Sequence, residues 1–195
     1  MTPRTARIER RTTETEIQLT LTLDGTGAAE VHTGIGMLDH LLTALARHAR
    51  FDLALTCRGD LEVDDHHTAE DCALALGEAL DAALGERRGI ARFGEAHAPL
   101  DEALARAVVD LFGRPWAEIH LDLAGPRLGG LAAENVTHVL QSLATRARAA
   151  LHVDVLRGAN DHHRAEAAFK AVALALRRAV ARDGTDAVPS TKGVL

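Results

Sequence analysis

The sequence is poor in the residues that would mark a secreted, membrane-spanning or nucleic-acid-binding protein. Only two cysteines occur among 195 residues, Cys57 and Cys72. They are too few for a disulfide framework and match no metal-binding spacing, so we expect buried thiols in a reducing compartment. No stretch approaches the roughly 20 apolar residues of a membrane span, and no hydrophobic segment follows the N-terminal arginines as in a signal peptide. The net charge of −6 argues against nonspecific nucleic-acid binding. We therefore expect a cytoplasmic protein without membrane or nucleic-acid partners.

A six-residue motif that occurs twice is the most informative feature of the chain. Residues 65–70 read DHHTAE and residues 161–166 read DHHRAE, so D-H-H-x-A-E recurs after 96 residues. An alanine-rich apolar run follows each copy, which places the motif on the first turn of a helix. The first His and the Glu are four residues apart and share a helix face. The second His points about 100° away and can serve a different ion or partner. Two copies at this interval indicate a duplicated half-domain with duplicated metal sites.

The elements around the two motifs repeat in the same order: strands, a helix with one His, a strand, and the motif helix. Strands are predicted at residues 7–23, 28–32, 51–57, 103–111, 116–123 and 151–156, with a hairpin turn at 24–27 and a comparable turn at 112–115. Helices are predicted at residues 37–49, 132–148 and 160–182, and from the first motif to about residue 85.

This order predicts an α+β fold of two similar half-domains, each with helices on one face of a mainly antiparallel sheet. We place the first half at residues 1–90 and the second at 91–182, intertwined in one catalytic domain. Residues 183–195 lack periodicity and are predicted to form a C-terminal tail or lid.

Six imidazoles and two carboxylates are candidate metal ligands. They are His40, His66, His67 and Glu70 in the first half, and His138, His162, His163 and Glu166 in the second. Each half then offers three nitrogens and one oxygen to one of two ions, a set that suits Mn, Fe, Co, Ni or Zn and leaves open positions on an octahedral ion. An alternative to metal binding is a purely structural role for the motif, in which Asp65 and Asp161 are helix N-caps. That role explains the aspartates but not two adjacent histidines, repeated.

Basic and hydroxyl side chains near turns are candidate ligands for an anion. Arg92 and Arg114 lie near turns, and Ser190, Thr191 and Lys192 lie together in the tail. Such a tail could close on a phosphate by charge-assisted hydrogen bonds. Each residue alone is weak evidence, because an isolated basic residue is usually a solvated charge and a tail is usually an unordered terminus.

Together these motifs resemble those of the imidazoleglycerol-phosphate dehydratases over nearly the full chain. The matching segments are RTTET at 11–15, GIGMLDHLL at 34–42, DDHHTAED at 64–71, RFG at 92–94, PLDEA at 99–103, NDHHRAEAAFK at 160–170 and PSTKG at 189–193. A minor departure is Val139, where the family commonly has an aromatic residue after the His. No fused phosphatase domain is evident, as in the monofunctional form.

The resemblance implies a lyase of histidine biosynthesis that converts D-erythro-imidazoleglycerol phosphate to imidazole acetol phosphate and water. It implies halves like the second domain of ribosomal protein S5, two Mn²⁺ per active site, and a 24-subunit homo-oligomer with sites at subunit interfaces. The second His of each pair would then ligate a metal shared with a neighbouring chain. The residues that carry over are Glu14, Glu70 and Glu166 as catalytic carboxylates, and Glu14, Arg92, Arg114, Ser190, Thr191 and Lys192 as substrate ligands.

Two other functions are compatible with the same residues. A binuclear metallohydrolase would also place His and Glu around two metals, although no bridging Asp cluster is evident. A metal-storage or structural shell protein would hold ions without chemistry and would not need the Arg and Lys residues that suit a phosphate.

Overall fold

The computed structural model describes residues 3–193, so Met1, Thr2, Val194 and Leu195 of the predicted first half and tail lie outside the described residues. The strands are β1 Thr5–Arg11, β2 Thr15–Thr22, β3 Ala29–His32, β4 Asp52–Gly59, β5 Phe93–Leu100, β6 Ala103–Asp110, β7 Trp116–His120, β8 Arg127–Leu128, β9 Leu131–Ala132 and β10 Ala150–Arg157. The helices are α1 Gly36–Ala49, α2 His66–Leu84, α3 Ala133–Arg146 and α4 Asp161–Ala179.

Each half of the chain builds one four-stranded sheet with the same strand order. The first sheet has the order β1-β2-β4-β3 and the second has the order β5-β6-β10-β7. In both, the first two pairs are antiparallel and the last pair is parallel. The prediction of an α+β fold with two similar halves and mainly antiparallel sheets is therefore confirmed.

The four helices lie between the two sheets, and each helix contacts both its own sheet and a helix of the other half. The helix α2 packs on β1 and β2 and against α3, and α4 packs on β5 and β6 and against α1. The motif helices α2 and α4 are thus covered from two sides, which is why their apolar residues extend over most of the helix surface. Alanine suits this position because it favours the helix and its small side chain permits close packing.

The predicted hairpin at residues 24–27 is wrong. The strand β3 does not return along β2 but pairs in parallel with β4, because both edges of β2 are already occupied by β1 and β4. The Asp52 carboxylate, at the N-terminal end of β4, accepts hydrogen bonds from the backbone N–H groups of Thr26, Gly27 and Ala28. These bonds hold the connection from β2 to β3 against that end of β4. In the second half β7 likewise pairs in parallel with β10 rather than forming a hairpin with β6.

The strand β5 was not predicted from the sequence. Its inward-facing residues are Gly94, Ala96 and Ala98, so the usual alternation of large apolar and polar side chains is weak. The ribbon of β8 and β9, at residues 127–132, was likewise not predicted. The predicted strand at residues 7–23 is two antiparallel strands, β1 and β2, joined by a hairpin turn at residues 12–14. The remaining predicted strands and all four helices are confirmed, with ends shifted by a few residues. None of the helices in the described range is long and apolar enough to cross a membrane.

Candidate metal-binding active site

Two compact His–Glu clusters lie where the N-terminal ends of the motif helices meet the helices of the opposite half. The first cluster is His66 and Glu70 of α2 with His138 of α3, and the second is His162 and Glu166 of α4 with His40 of α1. In each cluster one ligand atom per residue lies within 4.8 Å of the others. A set of two imidazole nitrogens and one carboxylate oxygen at this spacing is suited to a divalent transition metal.

The prediction that each half supplies its own cluster is wrong. Nε2 of His40 lies 2.9 Å from Oε2 of Glu166 in the other half, and Nε2 of His138 lies 3.0 Å from Oε1 of Glu70. The reason is the packing of α1 on α4 and of α2 on α3. The helix that precedes each motif in sequence therefore completes the other motif's cluster.

The second His of each motif lies outside both clusters, and its Nδ1 is held by a carboxylate. Nδ1 of His67 lies 2.9 Å from Asp60, and Nδ1 of His163 lies 2.7 Å from Glu102. These contacts raise the pKa of both imidazoles, with the hydrogen bond to the carboxylate as the main cause. The pKa of Glu102 falls to about 2, mainly through its hydrogen bond with His163 and then through backbone N–H groups.

Glu166 has one neighbour that has no counterpart in the first cluster. Nζ of Lys170, one turn along α4, lies 2.7 Å from Oε1 of Glu166, whereas position 74 in α2 is a leucine. Burial alone would raise the pKa of Glu166, but hydrogen bonds from Lys170 and His40 outweigh it and hold the pKa at about 2. Glu166 is therefore ionised, as a metal ligand must be.

The motif aspartates do not cap their helices, contrary to the structural alternative. Instead, the backbone N–H of His66 donates a hydrogen bond to the side chain of Asp64, and the backbone N–H of His162 donates one to the side chain of Asn160. Asp161 instead accepts hydrogen bonds from the N–H groups of residues 124 and 125. Asp65 accepts bonds from residues 127, 132 and 135. Both aspartates thus hold the loop 124–132, which spans the N-terminal ends of α2 and α4.

Glu14 lies next to the first motif, in the hairpin between β1 and β2. Its Oε1 is 3.8 Å from Nε2 of His67, and its side chain is about half exposed, at 48%. The structure thus brings Glu14 beside one of the predicted ligands.

The predicted phosphate ligands lie at the other end of the second half. The guanidinium of Arg92 makes two hydrogen bonds to Asp110 and one to the carbonyl of Pro189, which ties the tail to β5. The guanidinium carbons of Arg92 and Arg114 lie 5.5 and 3.7 Å from the ring centre of Phe112. In the tail, Ser190 accepts a hydrogen bond from the backbone N–H of Lys192.

The phosphate candidates and the second cluster are separated by the length of α4. The backbone N–H of Arg92 bonds to the carbonyl of Ala179 at the C-terminal end of α4, while His162 lies on its first turn. At 1.5 Å per residue, the 17 residue steps from His162 to Ala179 span about 25 Å. One chain therefore does not bring these two sets of side chains together.

Several residues that shape the site were not singled out from the sequence: Asp60, Glu102, Asn135 and Lys170. Asn135 lies 2.9 Å from Nδ1 of His66 and so orients a member of the first cluster. Glu102 had a detectable signal, because it lies in the PLDEA segment. Its correspondence to Glu14 is structural: each directly precedes the second strand of its sheet. Lys170 had one as well, because it follows Glu166 by four residues on the same helix. Asp60 and Asn135 contact their partners only through the fold.

Fold and site define a duplicated α+β protein with two histidine–glutamate clusters, each assembled from both halves. The family model described as imidazoleglycerol-phosphate dehydratase matches residues 33–176. The protein of that name from Phytophthora nicotianae is 62% identical over 192 residues, covering 98% of this chain and 42% of that protein. The one from Candida glabrata is 53% identical over 206 residues, covering 96% and 98%. The crystal structure from Pyrococcus furiosus has a TM-score of 0.82 at 38% identity, covering 96% and 100%.

The chain therefore belongs to the imidazoleglycerol-phosphate dehydratase family, whose members are hydro-lyases of histidine biosynthesis. It spans less than half the length of the Phytophthora relative and nearly all of the other two proteins.

Proposed function

We propose that this protein is a metal-dependent dehydratase that converts D-erythro-imidazoleglycerol phosphate to imidazole acetol phosphate and water. The observation that carries the proposal is the pair of His–Glu clusters in a chain of this family. In the reaction a proton and a hydroxyl group leave neighbouring carbons of the glycerol chain, and the resulting enol becomes the ketone. A substrate with an imidazole, a diol and a phosphate needs a site with both metal ligands and cations.

The donor set of the clusters fits two Mn²⁺ ions. Imidazole nitrogen and carboxylate oxygen together suit this class of ion, and no thiolate takes part. The residues that would hold the ions are His40, His66, His67, Glu70, His138, His162, His163 and Glu166. Bound there, manganese would act as a Lewis acid on the imidazole nitrogens and diol oxygens of the substrate.

Proton transfer and phosphate binding are assigned to side chains of the protein. Glu14 is half exposed beside His67, so it is the carboxylate that we assign to carry a proton to or from the glycerol chain. Glu70 and Glu166 act from within the clusters. Arg92, Arg114, Ser190, Thr191 and Lys192 bind the phosphate. Because Arg92 already bonds to Asp110 and Pro189, we expect Arg114 and the tail to supply most of the free donors.

The separation of about 25 Å along α4 supports an active site shared between chains. A substrate of this size cannot reach from the second cluster to Arg92 of the same chain. We therefore propose a homo-oligomer, of 24 subunits as in the family, in which one chain offers the clusters and another offers the phosphate ligands. His67 and His163, which lie outside the clusters, would then complete metal sites across the interface.

The test is turnover by the purified protein, stripped of metal and reloaded with Mn²⁺. We expect formation of imidazole acetol phosphate only with the metal and no hydrolysis of generic phosphoesters. Hydrolysis without dehydration would indicate a metallohydrolase, and metal binding without turnover would indicate a storage protein. Either result would refute the proposal.

Replacement of Arg114 tests the phosphate assignment. Because the phosphate is bound equally in the substrate and the transition state, Arg114→Ala should raise KM more than it lowers kcat. Steady-state kinetics measure both constants. An unchanged KM would refute the role of Arg114, and Arg106→Ala, on the outer face of β6 and paired with Asp154, is the matched control.

A further inference from the structure

Corresponding glutamates in the two halves make different contacts with the second His of their motifs. Glu14 and Glu102 each lie in the hairpin between the first two strands of their sheet. Glu102 is occupied by three donors, Nδ1 of His163 and the backbone N–H groups of Ala159 and Asn160. Glu14 lies 3.8 Å from Nε2 of its histidine, beyond hydrogen-bond distance. The duplication has therefore kept the position of the carboxylate but not its contact.

In the first half the carboxylate that holds Nδ1 comes from Asp60 instead. Asp60 follows β4 directly, and a Cβ atom at Gly59 would overlap the hydroxyl of Thr68 on the first turn of α2. A larger residue at position 59 would therefore have to displace the side chain of Thr68, and glycine permits the close approach of β4 to the motif helix without that. That approach places Oδ2 of Asp60 at 2.9 Å from Nδ1 of His67.

The surroundings of Asp60 indicate that its carboxylate serves His67. The side chain is mostly buried, at 19% exposure, and its Oδ1 has no hydrogen-bond partner within residues 3–193. A buried carboxylate oxygen without a donor is costly. The carboxylate is thus kept beside His67 although one of its oxygens is buried without a partner, and this cost in stability points to a functional role.

We propose that Asp60 is a positioning residue that holds Nδ1 of His67, so that Nε2 is presented to a metal ion and Glu14 remains unbound for the substrate. Glu102 is the corresponding positioning residue for His163. The inference rests on the proposed function. A carboxylate on Nδ1 fixes the tautomer and the ring orientation of a metal-binding histidine and makes Nε2 a better donor. The two halves therefore hold the second histidine with different residues. Within residues 3–193, the hairpin glutamate has no side-chain hydrogen bond in the first half, whereas its counterpart Glu102 accepts three.

Calorimetric titration of the metal-free protein with Mn²⁺ tests this assignment. We expect Asp60→Asn and Glu102→Gln each to weaken Mn²⁺ binding by about 10- to 100-fold. Glu14→Gln should lower kcat and leave Mn²⁺ affinity unchanged. The control is Asp154→Asn, which removes a carboxylate paired with Arg106 on the outer face of the second sheet and should change neither quantity.

Unchanged Mn²⁺ affinity in Asp60→Asn, or an equal loss of affinity in Glu14→Gln, would overturn the assignment. Thermal unfolding of the metal-free variants checks that they are folded. If Asp60→Asn does not fold, Asp60→Glu decides the question, because it keeps the charge, and tighter Mn²⁺ binding than in Asp60→Ala is then expected. A wild-type protein that binds no Mn²⁺ would refute the proposed function itself, whereas normal wild-type binding with unaffected variants would refute only the role of Asp60.

Discussion

Replacement of Gly77 by alanine should damage the first cluster from two helical turns away. The helices α2 and α3 run side by side in the same direction, with Glu70 against His138 near their starts and Gly77 against Leu143 further along. A Cβ atom at position 77 would lie 2.6 Å from the carbonyl oxygen of Leu143 and 2.9 Å from the backbone nitrogen of Ala147. These are backbone atoms that cannot rotate away, so α3 must shift.

The expected magnitude is the difference between two opposing effects. Alanine is favoured over glycine inside a helix by about 1 kcal/mol. Overpacking a closely packed contact costs about 1–3 kcal/mol, and the upper part of this range applies because the obstacles are backbone atoms. The net loss in the free energy of unfolding is therefore about 1–2 kcal/mol. A shift of α3 also lengthens the 3.0 Å contact between His138 and Glu70, so Mn²⁺ binding at the first cluster should weaken.

Urea unfolding of the metal-free protein, at one fixed protein concentration, measures the stability change. The matched control is Gly36→Ala at the exposed start of α1, where nothing lies within 4 Å of the new Cβ. That change should be neutral or stabilising by up to about 1 kcal/mol. The reasoning fails if Gly77→Ala is as stable as Gly36→Ala, because the close approach of α2 and α3 would then impose no constraint.

Two further predictions concern cluster composition and acid stability. If His40 belongs with His162, the double variant His40→Ala/His162→Ala should lose no more bound metal than either single variant, whereas His40→Ala/His66→Ala should lose metal from both clusters. Metal analysis of the purified variants measures this loss. The opposite pattern would show that each half supplies its own cluster. Hydrogen bonds from Arg4 hold the pKa of Asp24 at about 2, below its usual 3.8, so the stability from this pair is fully present above pH 4 and is lost as the pH falls towards 2. In thermal unfolding, Asp24→Asn should then be less stable than the wild type by about 1 kcal/mol at pH 7, and most of this difference should be gone at pH 2. A difference as large at pH 2 as at pH 7 would contradict this.

Much of the site could be predicted from the local sequence, because the spacing of residues along a helix determines which side chains share a face. The spacing of His162 and Glu166 by four residues places them on one face of any helix, and Nε2 of His162 indeed lies 3.1 Å from Oε2 of Glu166. The same geometry directs His67 and His163 away from the clusters. The alternation of apolar and polar residues in β2 likewise puts Ile17, Leu19 and Leu21 on one face, and all three are buried.

Partners that are distant in sequence were decided by packing. Whether His40 meets the motif of its own half or of the other depends on which Ala-rich helix face docks against α1. Local periodicity shows that a face is apolar but not which surface covers it. The parallel pairing of β3 with β4 also depended on which sheet edge was left open, and not on the turn residues at 24–27.

The sequence by itself determined the duplication, the fold class, the family and the candidate metal ligands, because these reside in repeated motifs and short-range periodicity. Only the tertiary structure decided that each cluster takes one histidine from the opposite half and that Asp60 and Glu102 hold the second histidines. It also separated Arg92 from the second cluster by about 25 Å. These features arise from contacts between elements far apart in the chain, where close approach at Gly59 and Gly77 selects one arrangement among those that the local pattern allows.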